Sequence, residues 1–140
     1  AGELVRLLSR FGITVSREEI EANPLKFAAE AARLTNQVVL LKGNVTTVAS
    51  PEGKTWQTPP MNPALATAGS GDVLAGILGA LLAMNAEGIE HGQLSLAEIA
   101  LAGADMHSRA CDKAAELGPV LALDIANAVR TVVKDVLDES

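Results

Sequence analysis

An α/β fold is what the sequence predicts, on three observations: apolar residues recur at helical spacing along much of the chain, one short run is continuously apolar, and a β-branched stretch broken by a Pro-Glu-Gly turn follows that run. Leu4, Leu7, Leu8 and Phe11 mark a first helix, and Gly12 follows where a helix commonly stops. Ser16 with Glu19 forms a capping box. Asn23-Pro24 opens a further helix, with Asn as cap and Pro in the first turn, and it runs to about Thr35 on an apolar face of Phe27, Ala31 and Leu34. Val38 to Leu41 reads as a strand buried on both faces and central in its sheet. Gly43-Asn44 ends it, and Val45 to Ala49, Pro51-Glu52-Gly53 and Lys54 to Thr58 then read as a β-hairpin.

Pro59 to Ser70 reads as a loop. From Gly71 a helix follows whose apolar face is Val73, Leu74, Ile77, Leu78, Leu81 and Leu82, and whose length is mostly buried. Gly76 and Gly79 inside it each cost about 1 kcal/mol relative to Ala, so close packing against a neighbour is expected there. Ser95 and Glu98 cap a long helix that ends at Gly118-Pro119, and a last helix, about Ala122 to Leu137, buries Ile125, Val129, Val132, Val133 and Val136. No repeat or linker divides these elements, which predicts one α/β unit. Its few strands are a thin sheet for so many helical faces, and Ala1 opens on what looks like a helix start, so further strands upstream are expected.

At 140 residues, folding removes about 70% of the unfolded chain's surface from water, enough for a core without staples. The 17 acidic against 11 basic residues, and aromatics limited to Phe11, Phe27 and Trp56, leave neither a basic stripe nor stacking platforms, so nucleic acid is not an expected partner. Cys111 is the only cysteine, which excludes an intramolecular disulfide and a multi-cysteine zinc site and fits a cytoplasmic protein. The longest apolar run, Val73 to Met84, is too short to span a bilayer, so no membrane association is expected.

The chemistry gathers at Gly69-Ser70-Gly71-Asp72, between a Pro-punctuated loop and an apolar helix. Glycines there let successive N–H groups turn into one cavity, the helix dipole adds positive potential, and Asp72 sits in the first turn. A carboxylate beside an anion cradle can take a proton from an alcohol while the cradle stabilises a phosphoryl group moving onto it. Spacing alone favours the plainer reading, a capped helix with Asp72 as a dipole partner. Lys42 and Thr46 follow the apolar strand, where ligands sit in open α/β sheets, although the residues alone favour a lysine reaching water beside a hairpin glycine. His107 and Cys111 share a helix face, but two ligands do not make a metal site; packing and surface roles are the expectation, with His91 exposed and Trp56 in the core or at an interface.

Taken together, Val39-Leu40-Leu41-Lys42-Gly43-Asn44-Val45-Thr46 and Asn62-Pro63-Ala64-Leu65-Ala66-Thr67-Ala68-Gly69-Ser70-Gly71-Asp72-Val73-Leu74-Ala75-Gly76 closely resemble the NAD(P)H-hydrate dehydratase family. Gly2-Glu3 is similar to the end of that family's Thr-Pro-His-x-Gly-Glu element, Met106-His107 to Cys111-Asp112 to its Leu-His-Gly-x-Ala-Gly-Asp, and Asp124 to its Ser-Asp near the C-terminus. The chain departs at Ala64, Ser108 and Cys111, where the family carries glycine. The histidine of the first element would fall before Ala1.

The resemblance implies a ribokinase-like fold, of which these residues would form the C-terminal half of a three-layer α/β/α domain. It implies repair of the S form of hydrated NADH and NADPH, with ADP or ATP as phosphoryl donor and Mg2+ bridging the phosphates. Lys42, Gly43, Asn44, Val45, Thr46 and Gly71 would contact the adenine nucleotide, Asp72 would contact the hydrate and act as base, and Gly69, Ser70, Gly71 and Asp72 would form the anion hole. A homo-oligomer is the expected assembly, since an unpaired strand edge invites association. The alternatives are a ribokinase-like kinase of a vitamin precursor, which stops after phosphorylation, and a non-catalytic module that binds nucleotide or serves an oligomer. The 140 residues alone are expected to self-associate or fold partly and to show no hydrate dehydration.

Overall fold

The computed structural model describes residues 1–139, which form two compact units, Ala1–Pro60 and a second beginning at Met61. In the first unit α1 (Gly2–Arg10) buries Leu4 and Leu8, one helical turn apart, and Gly12 at φ +77° turns the chain back. The Ser16 capping box forms as expected: Ser16 Oγ accepts from the Glu19 amide at 3.1 Å, and the Ser16 amide donates to Glu19 Oε2 at 2.8 Å. It opens α2 (Arg17–Ala22), which buries Ile20. Asn23 stands at the N-cap of α3 (Pro24–Thr35), but its side chain makes no cap bond there; Asn23 Nδ2 donates instead to the Glu19 carbonyl at 3.3 Å, closing the end of α2.

The strands β1 (Val39–Leu41), β2 (Thr47–Ala49) and β3 (Thr55–Gln57) form an antiparallel sheet in that order, with Leu40 opposite Val48 and Val48 opposite Trp56. The hairpin around Pro51-Glu52-Gly53 is as expected, Gly53 taking φ +87°. The central strand is β2, buried throughout, whereas the expected centre, Val38 to Leu41, supplies an edge strand that is half-buried. The reason is geometric. An unbroken apolar run reports cover over the two faces of a sheet, while the order of strands is set in the hydrogen-bonding direction, where β2 returns on one side of β1 and no described strand pairs with the other. Ala28 and Ala32 of α3 cluster with Ala49 of β2, their small side chains admitting the helix close to the sheet.

The second unit is helical among its described residues: a 3₁₀ turn (Pro63–Ala66), α4 (Ser70–Met84), the short α5 (Ala86–Glu90), α6 (Leu96–Ala115) and α7 (Ala122–Asp138). The long helix α6 lies at the middle, packed on α4, α7 and the 3₁₀ turn. It can do so because its buried face is mostly small: Ala97, Ala100, Gly103, Ala104, Ala110, Cys111 and Ala114. Its Ser95–Glu98 capping box forms as expected.

The close contact expected at Gly76 and Gly79 lies elsewhere. A Cβ on either would meet nothing within 4 Å, whereas one on Gly103 would stand 2.5 Å from Leu78 Cδ2, so α6, not α4, supplies the glycine of this crossing. Nor is α4 mostly buried: Ser70, Leu74 and Ile77 are, while Leu82 and Met84 are exposed, because apolar composition permits burial on every side and the unit covers one. In α7, Ile125 and Val132 are buried, while Val133 and Val136, expected inside, lie 39% exposed beside the inward stripe.

Candidate functional site

Gly69, at φ +85°, occupies the N-cap of α4, a left-handed conformation that glycine adopts without steric cost. The amides that follow are not equivalent. The Ser70 N–H donates to the Thr67 carbonyl at 3.3 Å and the Asp72 N–H to the Gly69 carbonyl at 3.0 Å, while those of Gly69 and Gly71 carry no hydrogen bond among the described residues. Two open donors therefore remain at the positive end of a helix of 15 residues. Gly71 and Asp72 are exposed, and Asp72 lies in the first turn beside these donors.

The Ser70 side chain is turned away from solvent. It is buried, and its Oγ donates to the Leu65 carbonyl at 2.7 Å, tying the start of α4 to the preceding 3₁₀ turn. That turn is itself held at its start by Asn62, whose Oδ1 accepts from the Ala64 amide at 3.0 Å and whose Nδ2 donates to Asp112 Oδ1 at 3.0 Å on α6. An Asn-Pro pair opening a helical turn is legible from sequence; a partner 50 residues away is not.

Lys42, Gly43, Asn44, Val45 and Thr46 form the connection from β1 to β2 in the first unit. Gly43 and Asn44 are exposed, Lys42 and Val45 half-buried, and Thr46 is 1% exposed. A Cβ on Gly43 would lie 3.1 Å from the Val45 carbonyl oxygen, a tight contact that favours a residue without one in this turn. The Thr46 backbone is fully engaged across the hairpin: its N–H donates to Thr58 Oγ1 at 3.1 Å and its carbonyl accepts from the Thr58 amide at 3.0 Å. These residues and the Gly69–Asp72 turn belong to different compact units.

His107 and Cys111 are core residues of α6, and among the described residues no group of three or more His, Cys, Asp and Glu side chains could hold a metal ion. His91 is exposed, as expected, and Trp56 is half-buried in β3. Asp124 caps its own helix, its Oδ2 accepting from the Leu121 amide at 2.9 Å and so satisfying an N–H at the start of α7. No described helix is long and apolar enough to cross a membrane.

The class of protein follows from the fold: the chain has a ribokinase-like α/β architecture, matching the ADP/ATP-dependent NAD(P)H-hydrate dehydratase of Bacillus subtilis with a TM-score of 0.73 at 26% identity, over 89% of this chain and 43% of that one. The family model for NAD(P)H-hydrate dehydratase matches residues 1–132, and the chain belongs to that family. It is 41% identical over 114 residues to the bifunctional NAD(P)H-hydrate repair enzyme Nnr of Moorella thermoacetica, covering 81% of this chain and 19% of that protein. It is 37% identical over 132 residues to the ADP-dependent (S)-NAD(P)H-hydrate dehydratase of Neisseria meningitidis, 91% of this chain and 40% of that protein. The chain thus spans less than half the length of each of these relatives.

Proposed function

We propose that the chain carries the phosphate cradle and the base of an ADP- or ATP-dependent dehydratase that repairs the S form of hydrated NADH and NADPH. The observation that carries this reading is the start of α4, where the open amides of Gly69 and Gly71 stand next to the exposed carboxylate of Asp72. Asp72 takes the proton of the ring hydroxyl as its oxygen attacks the terminal phosphorus of the nucleotide. The new O–P bond forms as the bond to the leaving nucleotide breaks, and the Gly69 and Gly71 amides receive the charge on the phosphoryl oxygens in flight. Hydroxide leaves poorly and phosphate leaves well, so the ring C–O bond then breaks, the adjacent carbon gives up a proton, and the double bond of the reduced nicotinamide returns.

Lys42 to Thr46 contact the nucleotide in this reading, with Gly43 and Asn44 offering the exposed surface of the β1–β2 turn. Mg2+, when bound, would neutralise charge on the phosphates and would be held chiefly by them. Both units are taken as parts of one ribokinase-like domain, supported by a family match that runs continuously across the Pro60–Met61 boundary. A cytoplasmic location and a homo-oligomeric assembly complete the proposal.

The test is incubation of the intact protein with the S form of hydrated NADH, ADP or ATP, and Mg2+. Recovery of the reduced-nicotinamide absorbance in the near ultraviolet together with inorganic phosphate is the expected result. A phosphorylated product without that absorbance identifies a small-molecule kinase, and nucleotide binding without turnover identifies a non-catalytic module; either overturns the dehydratase reading.

A further inference from the structure

The Gly69 and Gly71 amides can serve a phosphoryl group only if the turn that presents them is held still, and that turn is anchored from a distance. Two side chains, those of Ser70 and Asn62, do this. Ser70 Oγ donates to the Leu65 carbonyl at 2.7 Å from a buried position, locking the first residue of α4 to the 3₁₀ turn. Asn62 then holds the other end of the 3₁₀ turn, accepting from the Ala64 amide with one side-chain atom and donating to Asp112 Oδ1 with the other.

We propose that Asp112 and Asn62 are positioning residues for the phosphate cradle: they act through the 3₁₀ turn and Ser70, without touching substrate, to set the orientation of the Gly69 and Gly71 amides. The inference rests on the dehydratase reading for its kinetic readout, but not for its binding readout. Asp112 is exposed and its bond to Asn62 is solvent-facing, so the contact contributes little to global stability. Its worth lies in geometry instead. It joins α6, the helix on which α4 and α7 both pack, to the segment that delivers the cradle. An amide dipole aimed wrongly by a fraction of an ångström loses much of its interaction with a phosphoryl oxygen.

The experiment compares Asp112→Ala, Asn62→Ala, Asp112→Asn and the double alanine variant of the intact protein, measuring ADP affinity and stoichiometry by calorimetry and kcat/KM with hydrated NADH. Each single alanine variant should weaken ADP binding and lower kcat/KM by about 10–100-fold at unchanged binding stoichiometry, the usual scale for a supporting shell. Asp112→Asn, whose amide oxygen can still accept from Asn62, should restore most of both. The double variant should be no worse than the worse single one, since both break the same connection. Asp112→Asn as impaired as Asp112→Ala, additive losses, or a fall in stoichiometry instead of affinity would each overturn the proposal. An intact parent protein that binds ADP but does not turn over hydrated NADH removes the dehydratase reading and leaves the affinity series to decide the positioning role.

Discussion

Gly69 and Ala122 meet: a Cβ added to Gly69 would stand 3.1 Å from the Cβ of Ala122, so the turn that opens α4 abuts the first residue of α7. Position 69 is thus constrained twice, by its left-handed backbone and by the space left for it. Gly69→Ala should destabilise the protein by about 1–3 kcal/mol, the scale of a strained backbone position, and should also weaken ADP binding because the turn must shift. Denaturant titration with a parallel binding measurement checks this. An unchanged midpoint would mean that the turn relaxes freely.

Asp72 is exposed in the first turn of α4, and the proposed mechanism gives it a role in proton transfer and none in nucleotide binding. Asp72→Asn keeps the side chain's size and removes its capacity to take a proton. Turnover should fall by about 10²–10⁴-fold while ADP affinity changes little. Near-parental turnover would take Asp72 out of the mechanism.

The helix crossing at Gly103 and the open positions on α4 make opposite forecasts for glycine replacement. Gly103→Val should overpack against Leu78, whose Cδ2 lies 2.5 Å and Cγ 3.2 Å from the modest reach of a Cβ, costing about 1–3 kcal/mol. Gly76→Ala, with nothing within 4 Å, should stabilise the helix by up to about 1 kcal/mol. Thermal or denaturant midpoints decide, and a reversed order of the two would refute the assignment of the crossing.

Acid should act on the start of α6. The Ser95 backbone N–H, and after it the Ser95 hydroxyl, holds the Glu98 carboxyl below its ordinary value of 4.5. A depressed folded-state value contributes stability that is present above 4.5 and is lost as the pH falls through the lower folded value. Glu98→Gln should therefore be less stable than the parent near neutral pH and approach it as the pH falls below 4.5 and through the lower folded value. A stability difference that stays constant over that range would show that the charge of Glu98 is not what the cap uses.

Local chemistry decided a large part of this molecule in advance. The capping boxes at Ser16 and Ser95, the stop at Gly12 and the hairpin turn at Gly53 depend on a few neighbouring residues and on backbone conformations that side chains either favour or forbid, so they were legible in the sequence. The family was legible as well, because its motifs are contiguous. Tertiary structure alone decided the matters that need a partner distant in the chain. It put β2 rather than β1 at the centre of the sheet, since strand order depends on which backbone edges meet. It moved the close helix crossing from Gly76 to Gly103, since a glycine's use depends on what approaches it. It turned Ser70 inward to Leu65 and joined Asn62 to Asp112 across 50 residues, leaving Gly69 and Gly71 as the open donors, since a hydrogen bond needs both its atoms in one place and sequence spacing specifies that only within a turn or a helix.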